Sequence, residues 1–517
     1  MLGYLKRLLT TGAAYQFGDI LAKGIALVTI PLYTRYVSRG AYGAANSLLT
    51  AVILASIFLR AGIGEAFVRF YFDDRDAQRR ERIARTATAA VAWTTSAAAI
   101  AAVALAAPLS RLVLGFRDPL LLDCAALGLW AFTNLEMAYA QLRVDERMRA
   151  YVCASGANVA MTVTFTVLLV VVAGQGARGL LLGNFAALAL VVLGLWVLLR
   201  RCFSLRARAG DLLAMLRFGA PTVPSDASVY ALQVADRLYL FRGYSHAAAG
   251  EYSVALQLAT IVFVVVRGFQ YAWPPLAYSI EDDREAARLY ALVCTYFLLA
   301  AGAVAAAVAL LSRTVVRVLA APAYFGAHAA LGWLALGWTL YGLYLVMLVI
   351  IARSRATIRS LPAAAAGLAL NVALLVLLVP RSGAGLGIAG AGIALCGAYA
   401  AMLAVMHAAT RRLFPVPFEW RRLALGAAIL VGVAVSGELL LPGEGFAGIA
   451  LRVLWLALIP LLLLLTRFFA AHELAQARSL AAAVRERALR PRPLGREREA
   501  ERQAELEGEL GEQLDRY

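Results

Sequence analysis

Residues 179–199 have the sequence GLLLGNFAALALVVLGLWVLL, and this apolar run decides the class of fold. A helix of this length is about 31 Å long, which matches the ~30 Å hydrocarbon core of a bilayer. The Leu, Ala and Val content favours a helix, and the run lacks the polar/apolar alternation that is typical of a membrane barrel. The stretch therefore predicts one transmembrane helix.

Similar runs lie on both sides of this one, and together they predict an all-α polytopic membrane protein with 14 transmembrane helices. The first run is long and contains Asp19 and Lys23, which distinguishes it from a cleavable signal peptide. In chain order, the predicted spans are residues 12–34, 41–66, 87–107, 119–141, 150–173, 179–199, 214–240, 247–272, 288–311, 326–351, 360–379, 385–408, 423–441 and 447–466.

The composition of the 517-residue chain excludes the soluble classes of protein. Hydrophobic residues make up 62% of the chain and charged residues 16%, whereas a soluble domain is about a quarter charged. A chain this apolar is also not a disordered one. The five cysteines lie far apart, in or beside apolar runs, which indicates packing residues and predicts neither a disulfide framework nor a metal site.

The basic residues predict the orientation of the chain in the membrane. The net charge is +17, but the charges lie in loops between apolar runs, so no nucleic-acid partner is expected. With the N-terminus inside, 35 of the 49 Lys and Arg lie in or at the edge of inner segments, 9 lie in outer loops and 5 lie within spans. This distribution follows the positive-inside rule and predicts that both termini are cytoplasmic.

Short similarities between the two halves indicate an internal duplication. Residues 40–42 (GAY) precede the second span, and residues 250–252 (GEY) begin the eighth; Arg60 lies 20 residues after Gly40, and Arg267 lies 17 after Gly250. Parallel repeats occur in transporters, with the substrate path between them. The predicted organisation is an N-terminal six-helix lobe (1–211), a pseudo-symmetric C-terminal six-helix lobe (212–411), two extra C-terminal spans (412–470) and a charged cytoplasmic tail (471–517).

The sequence shows no signature of a soluble-type active site. The four histidines are widely separated, and the chain has no phosphate-binding glycine loop, HExxH motif or GxSxG motif. The predicted outer loops are short, whereas membrane glycosyltransferases and polymerases usually carry catalytic residues in a sizeable loop or domain. We therefore expect a transporter without a cofactor, and not an enzyme.

Ionisable side chains within the spans are the candidate functional residues, because a charge at the bilayer centre costs at least ~2.5–3.5 kcal/mol without a partner or a water-filled cavity. Asp19 and Lys23 lie four apart in the first span, on one helix face. They form either a self-contained ion pair or a polar cavity wall. Asp226 lies in the seventh span beside Pro221 and Pro224, which break the regular backbone as at transporter hinges.

Arg60 and Arg267 each follow an apolar run, in the second and eighth spans. Two interpretations remain open. Each Arg either reaches the nearby cytoplasmic interface, or joins Lys23 in a cationic pocket between the lobes. Arg binds phosphate in bidentate fashion, so such a pocket predicts a diphosphate headgroup as the ligand. Asp236 and Arg237, near the outer end of the seventh span, are interpreted as a structural pair.

Several motifs together resemble those of one transporter family. They are IPLYTRY at 30–36 with YG at 42–43, GIGEAFVRFY at 62–71, FGAP at 218–221, DR at 236–237, GEYS at 250–253 and AWPP at 272–275. With the number of spans, the resemblance covers about residues 5–470. The chain is similar to the bacterial polysaccharide or O-antigen flippases of the multidrug/oligosaccharidyl-lipid/polysaccharide exporter superfamily.

The resemblance implies two helical bundles around a central cavity lined by spans 1, 2, 7 and 8. The substrate would be an undecaprenyl-diphosphate-linked oligosaccharide, flipped from the inner to the outer leaflet of the bacterial cytoplasmic (inner) membrane by alternating access. The product would serve surface polysaccharide or lipopolysaccharide biosynthesis. Cationic cavity residues of the relatives correspond, by span and depth, to Lys23, Arg60 and Arg267.

The energy source is left open between H⁺ and Na⁺ coupling, with Asp19 and Asp226 as the candidate acids. Expected partners, besides the substrate and membrane lipid, are the polysaccharide polymerase and the glycosyltransferases of the same pathway. In the related lipid II flippases, spans 13 and 14 form a groove for the lipid tail, and this chain has both spans.

Three other functions stay open at this stage. A lipid II flippase of the same superfamily would differ mainly in the sugar that it accepts. A drug/cation antiporter would favour acidic cavity residues, whereas the charges deep in these spans are mostly basic. A membrane polysaccharide polymerase would need a long outer loop with paired charged residues, which this sequence does not have.

Overall fold

The computed structural model describes Gly24, Leu27 and residues 29–73, 76–204, 206–280, 282–354, 360–443 and 445–469. These residues are helical apart from short connections, and they include no β-strand. Residues 29–36 are helical and lead into the α-helices α1 (Arg39–Arg60), α2 (Ile63–Asp73), α3 (Ala77–Ala104), α4 (Ala106–Leu114), α5 (Pro119–Val144), α6 (Met148–Val167), α7 (Gly176–Leu198), α8 (Ala209–Gly219), α9 (Val223–Tyr239), α10 (His246–Ser279), α11 (Asp283–Leu310), α12 (Ser312–Leu319), α13 (His328–Arg353), α14 (Ser360–Leu378), α15 (Gly387–Thr410), α16 (Trp420–Leu440), α17 (Gly445–Leu456) and α18 (Leu458–Leu465).

The long helices confirm a multi-pass helical membrane protein. Among the described residues, 12 helices are long and apolar enough to cross a membrane, and they account for every predicted span except the first and the seventh. The first predicted span, 12–34, lies largely outside the described residues, and with it Asp19 and Lys23. The seventh is present as a broken helix. The total of fourteen spans therefore stays a prediction.

Polar caps mark several points where the chain enters the membrane. Asp118 precedes α5, where its side chain accepts a hydrogen bond from the Leu121 amide (3.1 Å) and Pro119 occupies the first turn. Asp282 precedes α11 and accepts from the Arg284 amide (2.7 Å). Such caps satisfy amides that have no partner within the helix, so they fix where each apolar helix begins.

The seventh span is interrupted at a short 3₁₀ turn. Helix α8 ends at Gly219, the turn covers Ala220–Thr222, and α9 begins at Val223. Two prolines at this point, Pro221 and Pro224, each lack the amide that a continuous helix would use. The two pieces also pack differently: α8 lies against α2 and α3, whereas α9 lies against α14 and α1.

The second span is interrupted as well, although its sequence predicts one helix over 41–66. Helix α1 ends at Arg60, and the next two residues have left-handed backbone, with φ of 47° at Ala61 and 71° at Gly62. Helix α2 then starts again at Ile63. Left-handed backbone is unfavourable for alanine, so Ala61 is held in place by its surroundings.

Polar contacts join helices inside the membrane. The Asn134 amide donates to Thr95 Oγ1 across α5 and α3 (2.9 Å), an interhelical hydrogen bond of the kind that polar side chains form within membranes. Arg452 of α17 is 2% exposed. Its guanidinium donates to the Leu310 carbonyl of α11 (2.5 Å) and pairs with Glu438 of α16 (2.8 Å), which also pairs with Arg313 (2.8 Å). Helix α17 is thereby attached to the helices before it.

The chain forms two units, Met1–Ile459 and Pro460–Tyr517. The first contains nearly all of the described helices and one large apolar core, together with a smaller apolar cluster formed by α2, α3, α5 and α8. The described part of the second unit completes α18 and ends at residue 469. The predicted tail, 471–517, lies outside the described residues. The division into lobes at 211 and 411 stays a prediction.

Candidate functional site

Two of the five predicted site residues have described side chains. These are Arg60, the last residue of α1, and Arg267, in the second half of α10. Asp226 belongs to α9, but only its backbone is described, and Lys23 and Asp19 lie outside the described residues. The geometry that follows therefore rests on α1, α10 and the elements packed against them.

The N-terminal ends of α1 and α10 touch through their backbones at two glycines. A Cβ atom built on Gly43 would lie 2.9 Å from the Gly250 nitrogen and would overlap the His246 carbonyl oxygen. A Cβ built on Gly250 would overlap the Arg39 carbonyl oxygen. Only glycine allows two helices to approach this closely, so these positions fix the separation of α1 and α10.

Side chains flank the glycine contact with polar bonds between the same two helices. The Arg39 guanidinium pairs with Glu251 (Nη1 to Oε1, 2.5 Å), and the Tyr42 hydroxyl donates to Gln257 Oε1 (2.8 Å). The topology predicted from the basic residues would put this end of both helices at the outer face of the membrane. We call these contacts, together with the glycine contact, the outer closure.

Two segments of the second half extend the outer closure by bonding to the first half. Residues 320–327, after α12, bond to the segment before α1: the Tyr324 hydroxyl donates to the Val37 carbonyl (2.8 Å), and the Ala321 amide donates to Thr34 Oγ1 (3.0 Å). The Arg242 guanidinium, just before α10, donates to the Arg111 carbonyl of α4 (3.0 Å). The two halves are thus joined at two further places.

Arg60 and Arg267 lie at the same distance from the outer closure. Arg60 follows Gly43 by 17 residues, and Arg267 follows Gly250 by 17 residues. In α-helices this spacing is a rise of about 25 Å and the same rotation about each axis. In the sequence analysis Arg60 was counted from Gly40, which gave 20 residues against 17 for Arg267. The contact between the helices shows that Gly43 is the position that matches Gly250, and the two spacings are then equal.

The environment of Arg60 leaves hydrogen-bonding capacity unused. The side chain is half-buried at the end of α1, and its Nε is buried with no hydrogen-bond partner. An unpaired buried donor on a guanidinium is costly unless a ligand or water satisfies it. This donor is therefore available to an anion that enters beside α1.

Arg267 lies against an aromatic ring of α10, which in turn packs against α13. Its guanidinium stacks on Phe263 (4.8 Å to the ring centre) and donates to Gln270 Oε1 (3.0 Å). Phe263 in turn packs on Trp338, with ring centres 4.4 Å apart. No hydrogen bond, ion pair or ring contact joins Arg267 to Arg60 in the part of the chain that the structure describes. Their convergence on one ligand stays a prediction.

The inner ends of the second and seventh spans also meet. A Cβ on Gly219 would lie 2.9 Å from the Gly62 Cα and would overlap the Gly62 carbonyl group. Beside this contact, the Arg69 guanidinium stacks on Phe218 (5.2 Å), and Phe70 packs edge-on against the same ring (6.1 Å). We call these contacts the inner contact. Arg60 is two residues from it along the chain.

The setting of Asp236 includes more than the structural pair with Arg237 that the sequence suggested. It is 0% exposed in α9, accepts a hydrogen bond from the Arg237 amide (2.9 Å) and accepts another from the Tyr252 hydroxyl of α10. The bond to Tyr252 joins the two helices. In the described residues, no group of three or more His, Cys, Asp and Glu side chains is arranged to bind a metal.

Sequence reasoning missed most residues of the outer closure. Tyr42, Gly43, Gly250 and Glu251 belong to motifs that the sequence comparison identified, but as signs of duplication and not as points of contact. Tyr324 lies in a short loop that gave no signal. Its role depends on which loop reaches Val37, and that is decided by the packing of whole helices.

Comparison with known proteins assigns a family over the first half of the chain. A family model described as "polysaccharide biosynthesis protein" matches residues 9–278. No match was found among curated proteins. The matched region contains both Arg60 and Arg267, the outer-closure residues of α1 and α10, and Gly219.

Solved structures extend the likeness over most of the chain. The lipid II flippase MurJ in an inward closed conformation has a TM-score of 0.69 at 14% identity, covering 88% of this chain and 97% of MurJ. An inward-facing multidrug resistance MATE transporter of the MOP superfamily has a TM-score of 0.63 at 15% identity, covering 77% and 95%. The Vibrio cholerae MATE transporter VcmN in its bent form has a TM-score of 0.51 at 14% identity, covering 79% and 97%. At these identities the likeness establishes the fold alone.

Proposed function

Because the chain belongs to the polysaccharide biosynthesis protein family and has the fold of the MOP superfamily transporters, we propose that it moves an undecaprenyl-diphosphate-linked oligosaccharide across the cytoplasmic membrane. The direction is from the inner to the outer leaflet, and the product supplies surface polysaccharide or lipopolysaccharide biosynthesis. All three structural neighbours share a membrane transporter fold and not an enzyme fold.

The observation that carries this proposal is the pair of arginines held at one depth below a closed outer end. The outer closure separates the region around Arg60 and Arg267 from the outer face. A transporter that works by alternating access must close one face before it opens the other. The outer closure has the contacts to do this, and it can open by separation of α1 from α10.

The chemistry of the arginines matches an anionic headgroup. A guanidinium offers paired N–H donors that fit phosphate oxygens in bidentate fashion, and it keeps its charge at any physiological pH. Arg60 carries a buried donor without a partner. Arg267 lies on an aromatic ring and bonds to a neutral amide, so its charge is not cancelled by a carboxylate in those contacts. We assign Lys23, in the adjacent first span, to the same cationic site.

The membrane potential provides a driving force for this reaction. Moving one charge across 100 mV is worth about 2.3 kcal/mol, so a diphosphate with roughly two negative charges that moves outward gains on the order of 4–5 kcal/mol. A carrier with positive side chains neutralises the headgroup during its passage and returns with the field. Coupling to H⁺ or Na⁺ would act through the acids Asp19 and Asp226.

The reaction class places the protein between two kinds of enzyme. Glycosyltransferases at the inner face must build the lipid-linked sugar, and a polymerase or ligase at the outer face must consume it. Both termini are expected on the cytoplasmic side. The polyprenyl tail stays in the bilayer, while the sugar and the diphosphate pass between the two halves of the protein.

The test replaces both arginines in a strain that lacks its own flippase. Arg60→Ala with Arg267→Ala is expected to abolish surface polysaccharide at normal protein level. Each charge-assisted contact to phosphate is worth about 1.5–3 kcal/mol, so the combined loss is about 100-fold or more. The matched control is Arg117→Ala with Arg381→Ala, which removes two exposed arginines from predicted outer loops. Full restoration by the arginine double variant would end the proposal.

A lipid II flippase is the second candidate, because the fold likeness to MurJ covers 88% of this chain. The two functions differ in the sugar and not in the diphosphate, so the arginine variants do not separate them. Growth of a strain depleted of its lipid II flippase distinguishes the two functions. Rescue of that strain, without restoration of surface polysaccharide in the first strain, would assign lipid II as the substrate.

A further inference from the structure

We propose that the inner contact between Gly62 and Gly219 is a pivot, which holds the broken ends of the second and seventh spans together while the second half of the protein turns relative to the first, and which positions Arg60. The role of Arg60 in this inference rests on the proposed function, whereas the pivot itself rests only on the geometry of the helices. Helix α8 then moves with the first half of the chain, although it belongs to the seventh span, and the seventh span bends at Ala220–Thr222.

The first argument is that two separate helices are interrupted where they touch. The second span leaves helical geometry at Ala61 and Gly62, and the seventh leaves it directly after Gly219. Interruptions of this kind are where backbone angles absorb a change in direction between rigid segments. Their meeting at one point gives both spans a common axis of bending.

The second argument is that no side chain lies between Gly62 and Gly219 themselves. A Cβ on Gly62 would lie 2.5 Å from the Gly219 Cα, and a Cβ on Gly219 would lie 2.9 Å from the Gly62 Cα. Backbone lies directly on backbone, so no side chain needs to change rotamer when the segments rotate. Gly62 also has a φ of 71°, which a larger residue would adopt only with strain.

The third argument is the unequal attachment of the two pieces of the seventh span. Met215 of α8 is buried in the small apolar cluster with Ile63 and Phe67 of α2, and Phe218 is held by Arg69 and Phe70. These are contacts with the first half of the chain. Helix α9 packs against α14 of the second half and is bonded to α10 through Asp236 and Tyr252, and it also contacts α1 of the first half.

The consequence for Arg60 follows from its place in the sequence. It is the last residue of α1, and Gly62 follows it two positions later in the chain. A rotation at the pivot changes the direction of that last turn relative to α9 and α10. The buried Nε donor of Arg60 is then exposed or covered according to the state of the transporter.

The decisive experiment is a pair of cross-links in a chain whose five native cysteines are replaced. One joins Phe70→Cys to Phe218→Cys, across the inner contact; the other joins Tyr42→Cys to Gln257→Cys, across the outer closure. A pivot stays together through the cycle, so the first cross-link is expected to leave polysaccharide export intact, and the second is expected to stop it. Loss of export with the first cross-link would overturn the proposal.

A second measurement tests the positioning of Arg60 without any substrate. Arg60→Cys is labelled with a membrane-impermeant thiosulfonate in inside-out vesicles, with and without Gly219→Ala. Crowding at the pivot should change the labelling rate by about tenfold, whereas Gly210→Ala, in the same helix with open space around it, should not change it. Equal rates in all three would refute the assignment. This readout remains valid even if the transported substrate proves to be another lipid.

Discussion

Replacing Gly43 by alanine should open the outer closure, because α1 and α10 touch there through their backbones. The added Cβ would lie 2.9 Å from the Gly250 nitrogen and closer still to the His246 carbonyl oxygen. Neither atom belongs to a flexible side chain, so the helices themselves must move apart. Inserting a methyl group into such a contact costs about 1–3 kcal/mol. The ratio of outward-open to closed protein should therefore rise about 5- to 150-fold.

The chain offers a closely matched control for this change. Gly40 lies one turn earlier in the same helix, and a Cβ there would meet the His246 Cβ at 3.7 Å, an ordinary contact. Gly40→Ala and Gly43→Ala alter intrinsic helix propensity in the same direction. Only the steric conflict differs between them, so a difference in behaviour reports on the contact itself.

Distances between spin labels on the two halves give the measurement. Labels at Arg117→Cys and Arg381→Cys lie in exposed loops of the predicted outer face, one in each half of the chain. Pulsed paramagnetic resonance on reconstituted protein should show a longer distance with Gly43→Ala and an unchanged one with Gly40→Ala. The same distance distribution for Gly43→Ala and the parent, in protein that remains monodisperse, would refute the reasoning.

Two further predictions concern stability and thiol chemistry. Arg452→Met removes the buried donor of three main-chain carbonyls, while Glu438 keeps its pair with Arg313. Thermal unfolding in detergent should therefore show a loss of about 1–3 kcal/mol, whereas Arg313→Met, at a more exposed pair, should cost less than about 1 kcal/mol; equal losses would contradict this account. Burial, followed by the nearby charge of Asp145, raises the pKa of Cys202 to about 11. With Cys202 as the single cysteine, maleimide labelling at pH 8 should be slow, should rise toward pH 11, and should be faster with Asp145→Asn; fast labelling at pH 8 would be inconsistent with the raised pKa.

Apolar length predicted most of the fold, because lipid leaves the chain little choice. A buried helix must satisfy its backbone internally and be long enough to cross, and both demands are visible in single runs such as residues 179–199. Prolines also predicted an irregular backbone in the seventh span, and the structure places it at Ala220–Thr222. The break after Arg60 was not predicted. Gly62 is a weak signal among many glycines, and Ala61 gives none.

The contacts between the halves were beyond the sequence for a different reason. Which glycine touches which depends on the rotation and depth of two whole helices. Residues 40–42 and 250–252 align as motifs, yet Gly43 is the residue that meets Gly250. The depth of Arg60 and Arg267 could be compared from the sequence, whereas their surroundings could not. Phe263, on which Arg267 stacks, packs on Trp338, 75 residues away, because α13 packs on α10.

The acceptors that seal the outer end are to a large extent main-chain atoms. The carbonyl groups of Val37 and Arg111 receive bonds from the opposite half, and the carbonyl of His246 lies against Gly43. Main-chain oxygens are supplied by any residue, so these bonds themselves do not depend on which side chain the accepting residue carries. Covarying residue pairs between the halves would consequently be a poor way to detect these contacts. A distant homologue could form the same contacts with few identical residues.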